Sequence, residues 1–385
     1  MNISPDTRRN FECIASSCPR QWLYLFGDEG VVYSEARNRF AGLDAAGVSA
    51  YQAFDAGAQI EDLRLIRNAH EPDASFGGLE AIHALAQGIF PDDEPTDDSF
   101  EVWPDPSTHS GTTKIEIHGI SISLTYPTGP LEELCRDCFQ NCAVSDKPAR
   151  WRLSAQPTAN GWAIYVNDRK LFSLQHEQQL GLGLMHAARA LLYAKGEYDV
   201  ALHAATVAYG NCGIMLCAPR ECGKSTLAAY LVARGGEFLA DEPSLLHLDP
   251  WSVSPLRMPI SLKEGSWPIL RQHWPQLAST PVHMRSDGVK IRMAHPSRCS
   301  SRSRRLTHIV FPRYTPSSLA EVESLSPLNT LRLLNEGGML LAKQFARANF
   351  DALLQSVWQT PAYRLQYASL EEAHRMLHEI GCLEK

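Results

Sequence analysis

Short apolar runs bounded by turn residues alternate along this chain with apolar stripes at helical spacing, and the two periods divide it into elements. Near the start, Trp22–Phe26 and Val31–Tyr33 flank Gly27-Asp28-Glu29-Gly30 and predict strand, turn, strand. Asp44 then caps a helix that carries Val48, Tyr51 and Phe54 and stops at Gly57. A second helix is expected from Glu61, holding Leu63 and Ile66, and a third along Leu79, Ile82, Leu85 and Ile89. These elements predict a small, winged-helix-like α+β domain over residues 1–90. Residues 91–111 combine prolines, acids and small polar residues without periodicity and predict a linker.

Beyond the linker, residues 112–385 predict an α/β domain. Lys114–Ile117 and Ile120–Leu124 alternate around His118-Gly119 as a hairpin, and Trp162–Val166 with Lys170–Phe172 make another. Leu180–Tyr193 reads as a helix leading to the strand Val200–His203. Ile309–Phe311 is strand-like, helices are expected near Leu328–Leu341 and Asp351–Val357, and a last helix starts with the capping box Ser369 to Glu372 and ends at Gly381. No internal repeat is visible.

One segment carries chemistry. The apolar run Gly213–Cys217 is followed by Ala218-Pro219-Arg220-Glu221-Cys222-Gly223-Lys224-Ser225-Thr226, then by the stripe Leu227, Ala228, Leu231, Val232, which Gly235-Gly236 ends. Strand, phosphate loop and helix is the expected order. In such a loop, backbone N–H groups and the helix N-terminus hold phosphate oxygens, the lysine reaches the outer phosphates, and the first hydroxyl, Ser225, ligates magnesium. A nucleotide is therefore the first ligand to consider. Ala218 stands where the motif has its first glycine, which is compatible with the turn if its φ stays negative. Glu237–Glu242 then predicts a strand ending in two acids, with Asp241 seventeen residues after Lys224.

His203-Ala204-Ala205, the loop, Arg234-Gly235 and Ala240-Asp241-Glu242 together resemble the catalytic domain of the HPr serine kinase/phosphorylase family, as do Pro259–Ser266 and Pro361–Leu365. The resemblance spans about residues 112 to 380. It implies a P-loop fold akin to phosphoenolpyruvate carboxykinases and an activity with ATP and magnesium. Such an enzyme transfers the γ-phosphate to a serine or other hydroxyl of a peptide or protein. It further implies Asp241 as the acceptor of the hydroxyl proton, Glu242 as a magnesium ligand beside Ser225, and His203 near the reacting phosphate. Because neighbouring strand residues point to opposite faces, the two acids can exchange these roles. Lys263, in the family-like Leu-Lys-Glu-Gly phrase, and Arg257 are candidate cations for the transferred group, Arg257 being equally compatible with an exposed position. Two departures stand out: Ala218, and Glu242 where the HPr kinases carry a second aspartate. The family's glycine-rich signature for phosphorolysis is not evident. Family members often form rings or dimers, so a homo-oligomer is an implied assembly.

Residues 20 to 90, with Phe40–Asp44 leading into Tyr51–Gly57, resemble PqqD-like domains, the peptide-recognition elements of ribosomal-peptide modification enzymes. That resemblance implies a precursor peptide as substrate, added to an open strand edge; a purely structural domain is the competing reading. Composition narrows the field. With 385 residues and 44% apolar content the chain can build two or three cores, and its net charge of −7 argues against nucleic acid. The basic run Ser297–Arg305 reads first as a solvated loop. No apolar run is long enough to span a membrane and the polar start offers no signal-peptide core, so the cytoplasm is the expected compartment. Ten scattered cysteines then read as reduced thiols, and Cys135, Cys138 and Cys142 as a buried helix stripe without metal. Two other functions compete with the peptide kinase: a small-molecule kinase, and a nucleotide-switched binding protein that transfers nothing.

Overall fold

The computed structural model describes residues 11–58, 110–167, 169–219, 221–316 and 318–383. The expected second and third N-terminal helices, nearly all of the linker and Arg220 lie outside them. Within the described residues the protein is mixed α/β with several sheets and more strands than helices. No helix among them is long and apolar enough to cross a membrane.

The chain divides into two compact units, Met1–Asp97 with Lys343–Leu353, and Asp98–Ala342 with Leu354–Lys385. In the first unit, four antiparallel strands, Glu12–Ala15, Gln21–Phe26, Glu29–Ser34 and Arg39–Leu43, follow one another in sheet order. Four strands are present where the apolar runs Trp22–Phe26 and Val31–Tyr33 predict two. The helix Ala45–Asp55 is capped by Asp44, whose carboxylate accepts from Gly47 N at 2.7 Å, and it buries Val48, Tyr51 and Phe54 with Leu23, Val32 and Leu43. Side chains alternate along a strand, so Tyr24 and Tyr33 leave that face for the other. There Tyr33 stacks on Phe350 at 4.2 Å and donates to the Phe345 carbonyl, and Tyr24 donates to Asp351 at 2.8 Å. Residues 343–353 thus complete this unit's core, although their sequence position groups them with residues 112–385.

The second unit holds a six-stranded sheet built from the two expected hairpins and their neighbours, running Arg169–Leu174, Gly161–Val166, Trp151–Thr158, Ile120–Pro127, Ser110–Ile117, Ala143–Val144. His118 and Gly119 have φ of 48° and 76°, the left-handed pair that a two-residue hairpin loop requires. The first strand already begins at Ser110, two residues inside the expected linker, because Ser110 and Gly111 pair with Pro127 and Tyr126. The helices Pro130–Asp137 and Leu180–Lys195 cover this sheet.

A second, larger sheet sets up the site. Its strand Cys212–Cys217 lies parallel to Arg304–Tyr314 and antiparallel to Ala204–Tyr209, which on its other side is antiparallel to Glu237–Asp241. Cys212–Cys217 and Glu237–Asp241 therefore run the same way, one strand apart, and their carboxyl ends lie on one edge. In open α/β sheets that edge is where ligands bind. The helix Lys224–Ala233 packs Leu227, Ala228 and Leu231 against Val207, Leu216 and Phe238. Two expectations are corrected here. Val200–Leu202 and Ala204–Tyr209 are separate strands with different partners, and His203 is the residue between them. The helix expected to reach Leu341 stops at Glu336, where Gly337 and Gly338 break it and Leu340–Leu341 joins the sheet instead.

Cys135, Cys138 and Cys142 are all buried, but the helix ends at Asp137, so Cys142 lies beyond the expected stripe. Burial pushes the Cys135 and Cys142 thiols up to about 12. Asp137, at the same helix end, accepts from His283 Nε2 and His295 Nε2, both at 2.7 Å. The Asn141 amide donates to the Pro296 carbonyl, which turns its oxygen toward His295 Nδ1 at 2.9 Å. Both nitrogens of His295 thus face acceptors. Burial alone pushes the Asp137 carboxyl up, yet the two histidine hydrogen bonds outweigh it and hold the group below its ordinary range. Because His283 and His295 come from and follow the small sheet of Ile260–Lys263, Lys290–Ala294 and His283–Met284, this carboxylate ties that sheet to the helix. Removing one partner of a buried charged network costs about 3–5 kcal/mol. Asp137→Ala is expected to lose that much stability in urea unfolding, and a loss below about 1 kcal/mol would show that the network supports nothing.

Candidate active site

The chain leaves the strand Cys212–Cys217 at Ala218 and enters the helix at Lys224. Between them Glu221 and Gly223 adopt left-handed φ values of 73° and 88°, with Cys222 at negative φ. Such an alternation turns successive N–H groups toward one side and makes an anion-binding concavity. Gly223 is required twice over, since a Cβ there would also stand 2.9 Å from Tyr367 Oη. Ala218 keeps φ negative, so the missing glycine imposes no strain. The Lys224 side chain is buried and folds back over the loop, donating to the carbonyls of Ala218 at 2.6 Å and Pro219 at 3.2 Å. These are neutral acceptors for a full positive charge, and a phosphate is a stronger partner.

Both acids reach the same edge. Asp241, 2% exposed, accepts from Ser225 Oγ at 3.1 Å on one carboxylate oxygen and from Ser261 N at 3.2 Å on the other. Glu242 leaves the strand with a left-handed φ of 44° and so escapes the strict alternation that would send its side chain to the opposite face. Its Oε1 lies 2.9 Å from His203 Nε2, an ion-pair contact off the line of a good hydrogen bond. The two carboxyls are displaced in opposite directions. Burial, then the neighbouring Glu242 charge, raises Asp241 well above the usual carboxylate range, and Arg189 offsets only part of this. Burial also acts on Glu242, but the contact with His203 and the charges of Arg189 and Lys224 outweigh it and hold that group low.

Two clefts meet here. The first, about 650 Å³, is lined by Gly223, Lys224, Ser225, Thr226, Lys263 and Tyr314. The second, about 670 Å³, is lined by Arg189, His203, Ser225, Glu242, Ser261 and Arg285. Ser225 and Ser261, the two residues bonded to Asp241, border both. Lys263 crosses the mouth of the first cleft to Glu221 Oε1 at 3.0 Å, and Thr226 Oγ1 pairs with Ser266 Oγ at 2.6 Å. Lys224, Ser225, Thr226, Gly223, Glu221, Asp241, Glu242, His203 and Lys263 are thus brought together as expected, with Ala218, Pro219 and Cys222 forming the loop behind them.

Arg257 is not. It is exposed between buried Leu256 and Met258 and lines a different cavity with Lys147, Arg150, Lys195 and Arg302. Alternation around two core residues forces it outward. The basic run Ser297–Arg305 is also more ordered than a solvated loop, since Arg304 opens the strand Arg304–Tyr314 and pairs with Glu237. Sequence reasoning missed Arg189, whose only signal is a charged residue inside the otherwise apolar stripe of Leu180–Lys195. No protein-family model matches the chain, and no curated protein is significantly similar to it.

The raised Asp241 carboxyl has a thermodynamic sign. The folded state keeps this proton at pH values above about 4, where the unfolded chain has lost it, so stability falls as pH rises toward the folded value. Asp241→Asn removes the charge and retains an acceptor for Ser261 N. In magnesium-free buffer at pH 8 the variant is expected to melt above the native chain, by about 1–3 kcal/mol of added stability. That gain shrinks as the pH is lowered to 5. A variant no more stable than the native chain at pH 8 contradicts the buried-charge account.

Proposed function

We propose that this chain is an ATP-dependent kinase which transfers the γ-phosphate to a serine, or another hydroxyl, of a peptide or protein, on a P-loop catalytic unit of the HPr kinase and phosphoenolpyruvate carboxykinase kind. One observation carries the reading: the Ser225–Asp241 pair stands where two clefts meet, with the Lys224 ammonium on one side and Glu242 with His203 on the other. Donor and acceptor can then approach from opposite sides.

The triphosphate enters the first cleft, and Lys224 exchanges two loop carbonyls for phosphate oxygens. Lys263, which lines the same cleft, meets the outer phosphate in this reading. A hydroxyl and a carboxylate already within hydrogen-bond distance are hard oxygen donors of the kind magnesium takes, so Ser225 and Asp241 are the residues that would hold it. Bound there, the ion supplies charge neutralisation on the phosphates. The acceptor hydroxyl comes through the second cleft, where Glu242 accepts its hydrogen bond and His203 holds the Glu242 carboxylate. The bond from the acceptor oxygen to the γ-phosphorus forms as the bridge to the β-phosphate breaks. ADP leaves, and the hydroxyl proton passes to the Glu242 carboxylate and on to solvent. A carboxylate held low is a weak base, but phosphoryl transfer asks mainly for positioning, because little negative charge builds on the entering oxygen. This assignment exchanges the roles that the family resemblance gives the two acids.

A peptide acceptor is supported by the first unit, in which, among the described residues, Glu12–Ala15 and Arg39–Leu43 are the outer strands of the sheet, on which an extended segment can pair. A small-molecule acceptor is the second reading, favoured by a second cleft whose volume suits a metabolite. Incubation with γ-labelled ATP and separate panels of serine peptides and hydroxylated metabolites decides between them. With either acceptor, Lys224→Ala and Glu242→Gln are each expected to slow transfer at least about a hundredfold while the circular dichroism spectrum stays native. Undiminished turnover in Lys224→Ala ends the kinase reading.

A further inference from the structure

Arg189 belongs to neither the phosphate loop nor the acid pair, yet its side chain enters the second cleft from the helix Leu180–Lys195. Its Nε and Nη2 are both buried, and neither has a hydrogen-bond partner among the described residues. A guanidinium is always charged, so it cannot shed this cost by giving up a proton. Nor do the nearby acids relieve it. Asp241 and Glu242 feel its charge, but their carboxylates are engaged by Ser225 and Ser261 and by His203, and neither bonds the two free nitrogens.

Which nitrogens are free matters. Nε and Nη2 form one edge of the guanidinium, and their N–H bonds point the same way with the spacing of two oxygens on one carbon or phosphorus. An edge of this kind binds a carboxylate or a phosphate with two parallel hydrogen bonds. The remaining wall of the cleft carries His203, Ser225, Ser261 and Arg285, which present polar or cationic groups to an anion, while Phe172, Leu174 and Met284 add apolar surface. We propose that Arg189 is a binding residue for a two-oxygen anion in this second cleft, distinct from the triphosphate held by the loop. Under the kinase reading, on which only the identity of the anion rests, two sources supply that chemistry: the phosphoryl group once it has reached the acceptor, or a carboxylate that the acceptor itself carries beside its hydroxyl. Glu242 lines the same cleft as Arg189, so an anion on this edge sits within the acceptor's own pocket.

The test uses the full chain and inorganic phosphate as probe, followed by isothermal titration. Lys224→Ala removes the loop's lysine and weakens that site, so that the Arg189-dependent part of phosphate binding in this parent reports the second cleft. Adding Arg189→Lys keeps the charge that Asp241 and Glu242 feel but destroys the two-pronged edge; Arg189→Gln removes both. Phosphate is expected to bind the parent saturably and at least tenfold more weakly to each double variant, with Arg189→Lys melting within a few degrees of its parent. If Arg189→Lys binds phosphate as tightly as the parent, or the parent binds none, the anion site is refuted and Arg189 is only a counter-charge for the acids. Competition by acetate assigns the source. Acetate binding at least as tightly as phosphate marks an acceptor carboxylate, and phosphate binding more tightly marks the transferred group. Binding of magnesium-ATP to the unmodified chain is measured separately, so a failure of the kinase reading registers there and leaves the phosphate result standing.

Discussion

The strand Ala204–Tyr209 holds the candidate site together. On one side its pairing sets Ala204 opposite Cys217, the last residue before the loop, and on the other it sets Ala205 opposite Asp241. Glu242 N donates to the Ala204 carbonyl at 3.0 Å, one residue from His203, so the contact between His203 and Glu242 is backed by main-chain bonding. Ser244 Oγ donates to the same carbonyl and pairs with Thr206 Oγ1, which fixes the chain after the acids as well. Slipping this one strand by a residue would part lysine, acids and histidine together, because a single-residue shift reverses every side chain.

The electrostatic plan follows from that register. Two carboxyl groups adjacent in sequence stand side by side, Asp241 buried and Glu242 half-buried, which is unfavourable for both. The site resolves the conflict by unequal treatment: Glu242 takes the histidine contact and the larger share of positive charge, while Asp241 is left with a hydroxyl and an amide. Under the proposed function, a divalent ion held by Ser225 and Asp241 would reverse this balance, since its charge would outweigh every local group. The raised Asp241 carboxyl is the cost of that arrangement, in keeping with sites that hold unfavourable interactions at some expense of stability.

The sequence made legible those features whose cause is local. The loop was readable because an apolar run, Gly-Lys-Ser and a helical stripe occur in one stretch, and the caps at Asp44 and Ser369 were readable because each acts within three residues. His118-Gly119 announced its turn by composition alone. What escaped depends on partners far away in the chain. Arg257 and Lys263 look alike as cations after the acids, but only the packing of Leu256 and Met258 decides that the first turns outward. Arg189 lies well before the lysine and becomes meaningful only once its side chain shares a cleft with Glu242. The strand Ala204–Tyr209 was not expected, because its apolar residues follow directly on those of Val200–Leu202 and only the pairing separates the two.

Residues 343–353 carry a consequence for biosynthesis. Tyr24 and Tyr33 emerge from the ribosome about three hundred residues before Phe345, Phe350 and Asp351, the groups that cover them. Contacts this distant in sequence are slow to form and leave apolar surface open meanwhile. The amino-terminal sheet of this protein consequently stays half-finished through most of translation, a period in which chaperones are the natural cover for its aromatic face.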